Sequence, residues 1–433
     1  MDISIKNFGT ILEANVKIGG LTVIAGENDT GKSTVGKILF SLVKASARYE
    51  ENLQEDKETK VLALAEKIYF SLRRKVNFND NAELRDLFHP RRVYEQVRFF
   101  HDKAISDRVN ALMRALHKGI SSSIDHELIA VVTADLNEIK NIIFEQEDQK
   151  TAIYKAVRRA FYSEFRGDVF PKGPTNVEHT HVYIKDGESP LINIVWTKDG
   201  INRFDYYDDM GFEDATFVDT PSVIQFHNFT DVAKTLFDIS GKGTGFTLPL
   251  HIKDLSEKIK ASIYTYNLFD DYHHINQNLS NTYKGRLYYD KDSSEFLLDR
   301  GNYKVNACNV ASGIKSLGIF DILVQSGHAS PSSLLILDEP EINLHPKWQI
   351  EYARAICDLI EIGANIIVTT HSPYILEALK GFCDRKKLAH NFYLAQKVAD
   401  RAILRDITGN ISPAINMLSS PLFELNEELY NDF

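Results

Sequence analysis

The sequence predicts an α/β fold: a mixed sheet whose core is split in two by a long, mainly helical insertion. Three observations carry this. The apolar run Leu21-Thr22-Val23-Ile24-Ala25 leads directly into a glycine-rich loop and then a helix. Two more aliphatic runs, Leu334-Leu335-Ile336-Leu337 and Ile366-Ile367-Val368, alternate with helical stretches between Ser333 and Leu388, which is the order of a parallel α/β sheet. From about Tyr49 to Ser163 the chain is rich in Leu, Ala, Lys, Glu and Arg and has a single proline, Pro90, so it reads as a series of helices.

The elements follow in order. Ile3-Ser4-Ile5 and Ala14-Asn15-Val16-Lys17-Ile18 are strands, and Leu21–Ala25 is the third. Gly26-Glu27-Asn28-Asp29-Thr30-Gly31-Lys32-Ser33 then spells G-x-x-x-x-G-K-S, with a helix opening at Thr34. A strand, a glycine turn and a helix start are what a nucleoside triphosphate physically needs. Backbone N–H groups wrap an anion where no Cβ blocks the approach, and the helix N-terminus adds partial positive charge. Gly26 to Thr34 are therefore candidate nucleotide-binding residues. Lys32 carries its charge to the β- and γ-phosphates and is a candidate catalytic group, and the Ser33 hydroxyl is a candidate Mg²⁺ ligand.

After the helical stretch, Phe170-Pro171-Lys172-Gly173-Pro174 reads as a punctuated linker. Alternation at His181–Ile184, Leu191–Trp196 and Thr216–Val218 predicts strands, and a helix is expected over Asp254–Leu268. Gly285–Tyr289, Phe296–Leu298 and Tyr303–Ala307, separated by turn residues, predict a three-stranded meander. The expected organisation is a discontinuous head, 1–45 and 215–433, around an insertion, 46–214, helical to about 165 and β-rich beyond.

Composition narrows the class. Of 433 residues, 43% are hydrophobic and 25% charged, which is ordinary for a soluble globular protein. No stretch approaches the roughly 18 apolar residues of a membrane span. The N-terminus has no basic and apolar leader pattern, and the three cysteines form neither a disulfide framework nor a zinc motif, so a reducing cytoplasmic location is expected. The net charge of −10 argues against strong nucleic-acid binding by the whole chain. Residues 71–120 nevertheless carry eleven Lys/Arg against six Asp/Glu. Two readings stand for that segment: a nucleic-acid phosphate patch, or a solvated helix face, which is the commoner meaning of such a bias.

Asp338-Glu339 closes the aliphatic strand Leu334–Leu337, at the end where an open α/β sheet places its ligand. Asp338 is a candidate Mg²⁺ ligand opposite Ser33, and Glu339 is suited to orient and deprotonate an attacking water. His371 ends the strand expected beside it and can hydrogen-bond the γ-phosphate or that water. Asn309–Ser316 opens a helix running to about Gln325, with Ser312 as the expected N-cap. The acidic run Asp205, Asp208, Asp209, Glu213, Asp214 and Asp219 reads as a solvated loop rather than a metal site.

These pieces together resemble an ATP-binding-cassette (ABC) head, a mixed sheet with a P-loop α/β core and an antiparallel β subdomain. Ala311-Ser312-Gly313-Ile314-Lys315 stands where that class carries its signature. The resemblance implies that Ser312, Gly313 and Lys315 complete the ATP site of a second chain across a head-to-tail dimer. The extended run Asp338–Pro346 is similar to the RecF and OLD branch, related to SMC proteins, and it implies that Glu341–His345 contacts the partner head. Gln225 is the implied Mg²⁺- and water-sensing glutamine. ATP and Mg²⁺ are the implied cofactors, and a homodimer or a higher assembly of head dimers the implied state. The 62 residues after His371 are too few for the Toprim nuclease domain common in OLD proteins. Short heads of this class resemble the ATPase subunits of bacterial anti-phage systems such as Septu, PARIS and retron-associated modules, where a separate HNH or Toprim protein is the effector. A RecF-like DNA-repair ATPase and a non-hydrolysing assembly protein remain as alternatives.

Overall fold

The structure is a computed structural model that describes residues 1–76, 78, 81–116, 123–172, 176–232, 234–235, 247–261 and 271–430. The described residues divide into two compact units, 1–47 with 154–430, and 48–153.

The first unit is built on one sheet of eleven strands. Its chain order is β1 (Asp2–Phe8), β2 (Ile11–Lys17), β3 (Leu21–Gly26), β4 (Thr180–Asp186), β5 (Ser189–Thr197), β6 (Gly200–Tyr206) and β7 (Asp214–Val218). Two-residue β8 (Lys234–Thr235) and β9 (Thr247–Leu248) pair with each other. The antiparallel meander β10 (Arg286–Asp290), β11 (Glu295–Asp299) and β12 (Lys304–Asn306) forms the predicted small sheet. β13 (Ser333–Asp338), β14 (Asn365–Thr370), β15 (His390–Val398) and β16 (Arg401–Asp406) complete the series.

Across the large sheet the order is β6-β5-β4-β1-β2-β16-β15-β3-β14-β13-β7. The run β15-β3-β14-β13-β7 is parallel throughout, and β3 is buried on both faces, as its unbroken apolar sequence requires. The other wing is antiparallel except where β16 pairs parallel with β2, and its strands show the in–out burial of half-covered sheet. This wing is where the structure departs from the expected division of the chain. β4 pairs with β1, Ile5 opposite Val182, so 180–206 extends the main sheet instead of belonging to an insertion. Alternating hydrophobicity reports that a segment is a strand; it does not report which edge the strand joins.

The helices of this unit are α1 (Lys32–Ala47), the end of α6 (Gln149–Phe165), α7 (His227–Val232), α8 (Leu250–Ala261), α9 (Asp271–Tyr283), α10 (Ser312–Gln325), α11 (Pro346–Glu361), α12 (Pro373–Lys386) and α13 (Ser412–Tyr430). Leu335, Leu337, Val368, Leu323, Ile356 and Leu376 meet in the largest core cluster, which locks α10, α11 and α12 onto the parallel strands. The helix expected over Asp254–Leu268 is observed as α8, and 262–268 lies outside the described residues. So do residues 173 and 174 of the expected linker.

The second unit is helical, as the composition of 49–163 predicts: α2 (Tyr49–Lys75), α3 (Ala82–Leu87), α4 (Pro90–Leu116), α5 (Ser123–Phe144) and the start of α6. Val61, Leu72, Val97, Leu112 and Leu136 share its core. α4 breaks at His101, whose φ of +45° is foreign to a helix and whose ring stacks on Phe144 at 4.5 Å. Not all of the basic bias in 71–120 faces solvent. Arg108 is fully buried and donates to the carbonyls of Leu87, Ala104 and Arg92 and to Gln96 Oε1. Arg92 pairs with Asp86 and Arg114 with Glu83. Residues 117–120 are outside the described residues. Among the described residues no helix is long and apolar enough to cross a membrane.

Candidate functional site

The glycine loop, Asp338-Glu339 and His371 each follow or close the C-terminal end of a central parallel strand, β3, β13 and β14. β3 delivers the glycine loop between β14 and β15. A Cβ on Gly31 would lie 2.6 Å from Ile11 Cγ1, and φ there is +78°, so both space and backbone demand glycine. Asp29 is also left-handed, at φ +60°, a conformation Asp tolerates. Thr30 Oγ1 donates to the Glu27 carbonyl at 2.8 Å and ties the loop to itself. α1 starts at Lys32, which points the first helical N–H groups at the loop. Behind it, Gly36 lets the helix approach the sheet: a Cβ would be 2.8 Å from Ile336 Cγ2.

Lys32 is buried, and its Nζ donates to the carbonyls of Gly26 at 3.0 Å and Glu27 at 2.7 Å. Burial lowers its pKa, while Glu339, Asp338, Glu341 and Glu27 oppose that. A lysine held on two neutral carbonyls among acids is poised to accept an anion, because a phosphate offers it a better partner. The cleft around the loop, about 610 Å³, is lined by Asn28 to Thr34 and Glu339, and on its far side by Thr10, Phe170, Lys172, Asp400 and Arg401.

β13 and β14 run parallel with Asp338 beside Thr369. Asp338 accepts a hydrogen bond from Thr369 Oγ1, and burial raises its pKa against that bond and one from Ser33. A hydroxyl and a carboxylate in contact are the hard oxygen donors Mg²⁺ prefers, so Ser33 and Asp338 fit the ion. Among the described residues no group of three or more His, Cys, Asp or Glu is arranged to hold a metal alone. The ion expected here is one shared with nucleotide oxygens.

Glu339 occupies the left-handed region, φ +50°, its N–H bonded to the Thr369 carbonyl at 3.0 Å. Such a backbone costs a non-glycine residue about 1 kcal/mol. It turns the side chain across the strand ends, placing Oε1 at 4.0 Å from Lys32 Nζ and 3.6 Å from His371 Nδ1. Glu341, expected at a partner surface, is buried instead. Its Oε1 accepts from Thr370 Oγ1 at 2.7 Å and from the backbone N–H groups of His371 at 2.7 Å and Ser372 at 3.1 Å. It fixes the turn that presents the half-exposed His371. Ile342 and Asn343 stay exposed, and His345 caps α11 through Nδ1.

Ser312 is one position from where the capping argument put it. Ala311 is the N-cap, without a side-chain bond, and Ser312 is the first helical residue, exposed. Gly313 is buried, and a Cβ there would be 2.6 Å from the Asn343 carbonyl oxygen. Lys315 is buried along its stem, and burial lowers its pKa. None of the three is among the described residues that line the phosphate cleft of their own chain. Gln225 is exposed, just past the 3₁₀ turn Pro221–Ile224, and is not among the described residues lining either the phosphate cleft or the small cleft at Asp338.

The residue at the end of β7, beside Asp338, is Asp219. Pairing sets Val218 opposite Leu337, so the next residues, Asp219 and Asp338, emerge side by side. The other acids of the 205–219 run are dispersed: Asp205 pairs with Arg203, and Asp214 with Lys44 and Lys258. Asp219, Arg401, Thr10 and Phe170 carry no sequence signal of their own. Arg401, Thr10 and Phe170 reach the phosphate cleft from separate parts of the chain, and Asp219 reaches the small cleft at Asp338.

The glycine loop, Ser33, Asp338, Glu339 and His371 together have the arrangement of a site for a nucleoside triphosphate. A family model described as an AAA domain, putative AbiEii toxin of a type IV toxin–antitoxin system, matches residues 205–377. Among solved structures, the SMC head domain from Thermotoga maritima is similar at 10% identity and a TM-score of 0.41, covering 94% of this chain and 98% of that one. An Smc head bound to the C-terminal winged-helix domain of ScpA gives 13% and 0.42, covering 94% and 96%. The Smc head from Pyrococcus furiosus, bound to the C-terminal domain of ScpA, gives 11% and 0.34, covering 97% and 98%.

Proposed function

We propose that the chain hydrolyses ATP in a site closed by the signature helix of a second copy. The observation that carries this is the convergence of Lys32 Nζ and His371 Nδ1 within 4.0 Å of one carboxylate oxygen, Glu339 Oε1, at the mouth of the phosphate loop. Lys32 leaves its carbonyls for the phosphates. Ser33 and Asp338 would hold Mg²⁺, which would supply charge neutralisation at the phosphate oxygens. Glu339 orients a water and takes its proton, and His371 steadies both the carboxylate and the terminal phosphate. Ser312, Gly313 and Lys315 supply the remaining contacts from the other head.

A switch of this kind acts through a partner. We infer a sensor or scaffold role controlling a separate effector, an HNH or Toprim nuclease in the anti-phage setting. The toxin–antitoxin description of the matching family supports that direction. The RecF-like reading rests on 71–120, where Arg92, Arg108 and Arg114 are already engaged within their own unit.

The test is Glu339→Gln beside Lys32→Ala. Glu339→Gln is expected to bind Mg·ATP as wild type does and to accumulate dimer in light scattering, with turnover down at least about 100-fold. Lys32→Ala is expected to lose nucleotide binding. Wild-type turnover in Glu339→Gln would refute the assignment.

A further inference from the structure

Beneath the sheet end, three side chains distant in sequence form a buried chain. Glu164, on the last turn of α6, has a fully buried side chain, and its Oε2 accepts from His251 Nδ1 at 2.6 Å. The other ring nitrogen of His251, Nε2, donates to Asp219 Oδ2 at 3.1 Å. Both nitrogens donate, so the ring is an imidazolium between two carboxylates. Burial alone would pull its pKa down; the bonds to Asp219 and Glu164 hold it up at about 9. The ring is fixed in place by Phe217 and Phe40, with centroids at 5.1 and 6.3 Å. Ser163 and Glu164 also accept the first backbone N–H groups of α8, from Leu250 at 3.0 Å and His251 at 3.0 Å, so α6 and α8 are joined at this point.

Asp219 is the end of the chain that matters chemically. It lines a small cleft with Asp338, Glu339 and Ser316, and its second oxygen, Oδ1, is buried with no hydrogen-bond partner among the described residues. Two carboxylates emerging from adjacent strands repel each other, and nothing in the strand pairing holds Asp219 there. The His251 cation does, by binding one oxygen and leaving the other turned away from it.

We propose that Glu164, His251 and Asp219 form a positioning relay that fixes a second negative charge beside Asp338 and so sets the affinity of the phosphate site for Mg²⁺. Asp219 attracts the cation and can accept from its bound waters, in keeping with the water-rich shell Mg²⁺ retains. His251 and Glu164 act only through it, as outer partners do for inner ligands. The inference rests on the nucleotide reading above and assigns part of its cation dependence to residues outside every motif.

The experiment titrates Mg²⁺ against full-length protein with a fluorescent, slowly hydrolysed ATP analogue, and repeats the binding in EDTA. Asp219→Asn and His251→Gln are expected to raise the half-saturating Mg²⁺ concentration about tenfold, as loss of outer-shell partners typically does, with binding in EDTA unchanged within about twofold. Glu164→Gln keeps the shape of the buried side chain and guards against misfolding; it is expected to give a smaller shift in the same direction. The proposal is overturned if folded Asp219→Asn or His251→Gln keeps the wild-type Mg²⁺ midpoint. Equal weakening with and without Mg²⁺ also overturns it, since that marks a merely structural role. Wild-type protein that binds no analogue in either condition refutes the parent reading first, and Lys32→Ala, expected to lose binding in EDTA as well, separates that failure from the relay's.

Discussion

Truncating Glu341 to alanine should damage the head unit far more than removing its charge. Only 4% of this side chain is exposed. Its Oε1 accepts the His371 N–H at 2.7 Å, while the Ser372 N–H also reaches Thr370 Oγ1 at 3.0 Å. Glu341→Ala therefore strands one backbone N–H and releases one hydroxyl, at about 1–3 kcal/mol each. Against this stands the relief of a carboxylate that burial disfavours, visible in its raised pKa. The net expectation is a loss of about 2–4 kcal/mol. Glu341→Gln keeps a carbonyl oxygen for the same donors and sheds the buried charge, so it should cost about 1 kcal/mol or less. Urea unfolding followed by tryptophan fluorescence reads both, as shifts in midpoint at constant slope. Turnover should fall in Glu341→Ala more steeply than nucleotide affinity, because His371 loses its mooring while Lys32 keeps its own. A Glu341→Ala protein within 1 kcal/mol of wild type, or a Gln variant as damaged as the Ala variant, would refute the reasoning.

Two other outcomes are expected. Gly313→Ala must push against the Asn343 carbonyl 2.6 Å away and should cost about 1–3 kcal/mol, whereas Gly381→Ala in α12, with open space around the added methyl, should be neutral or stabilising; thermal unfolding of the pair separates crowding from helix propensity. His328, whose pKa burial pulls down to about 4, stays neutral in the fold where the unfolded chain takes up a proton below about 6.5. Its contribution is thus present above pH 6.5 and lost as the pH falls toward 4, by at most about 3 kcal/mol. The stability of His328→Asn relative to wild type should rise over that window, and a difference that does not vary with pH would contradict it.

How much could be read from sequence follows from how each part is made. The phosphate loop was legible because consecutive residues supply nearly all of its chemistry. Asp338 and His371 were legible because each ends an apolar run, and parallel strands bring their C-terminal ends together. The edge assignment of β4–β6 was not, since the pattern of Val182 and Ile184 would suit any half-covered sheet. Ser312 missed the cap by one residue because a helix start is decided by backbone geometry, here the extended Ala311, as well as by the side chain that could cap it. Glu341 read as surface loop because its buried partners are backbone N–H groups thirty residues on, which no composition reveals. The Glu164, His251 and Asp219 chain joins three elements, and its members look like ordinary polar residues until the fold closes over them.

The path of the chain through α1 and α6 carries one more consequence. α1 begins with Lys32 at the phosphates and ends at Ala47, where the chain passes into the helical unit; α6 brings it back and ends beside Glu164. The helical unit is thus inserted between two segments of the head that both carry residues of its interior: Lys32 opens α1 on the chain's way out, and Glu164 lies on the last turn of α6 on its way back.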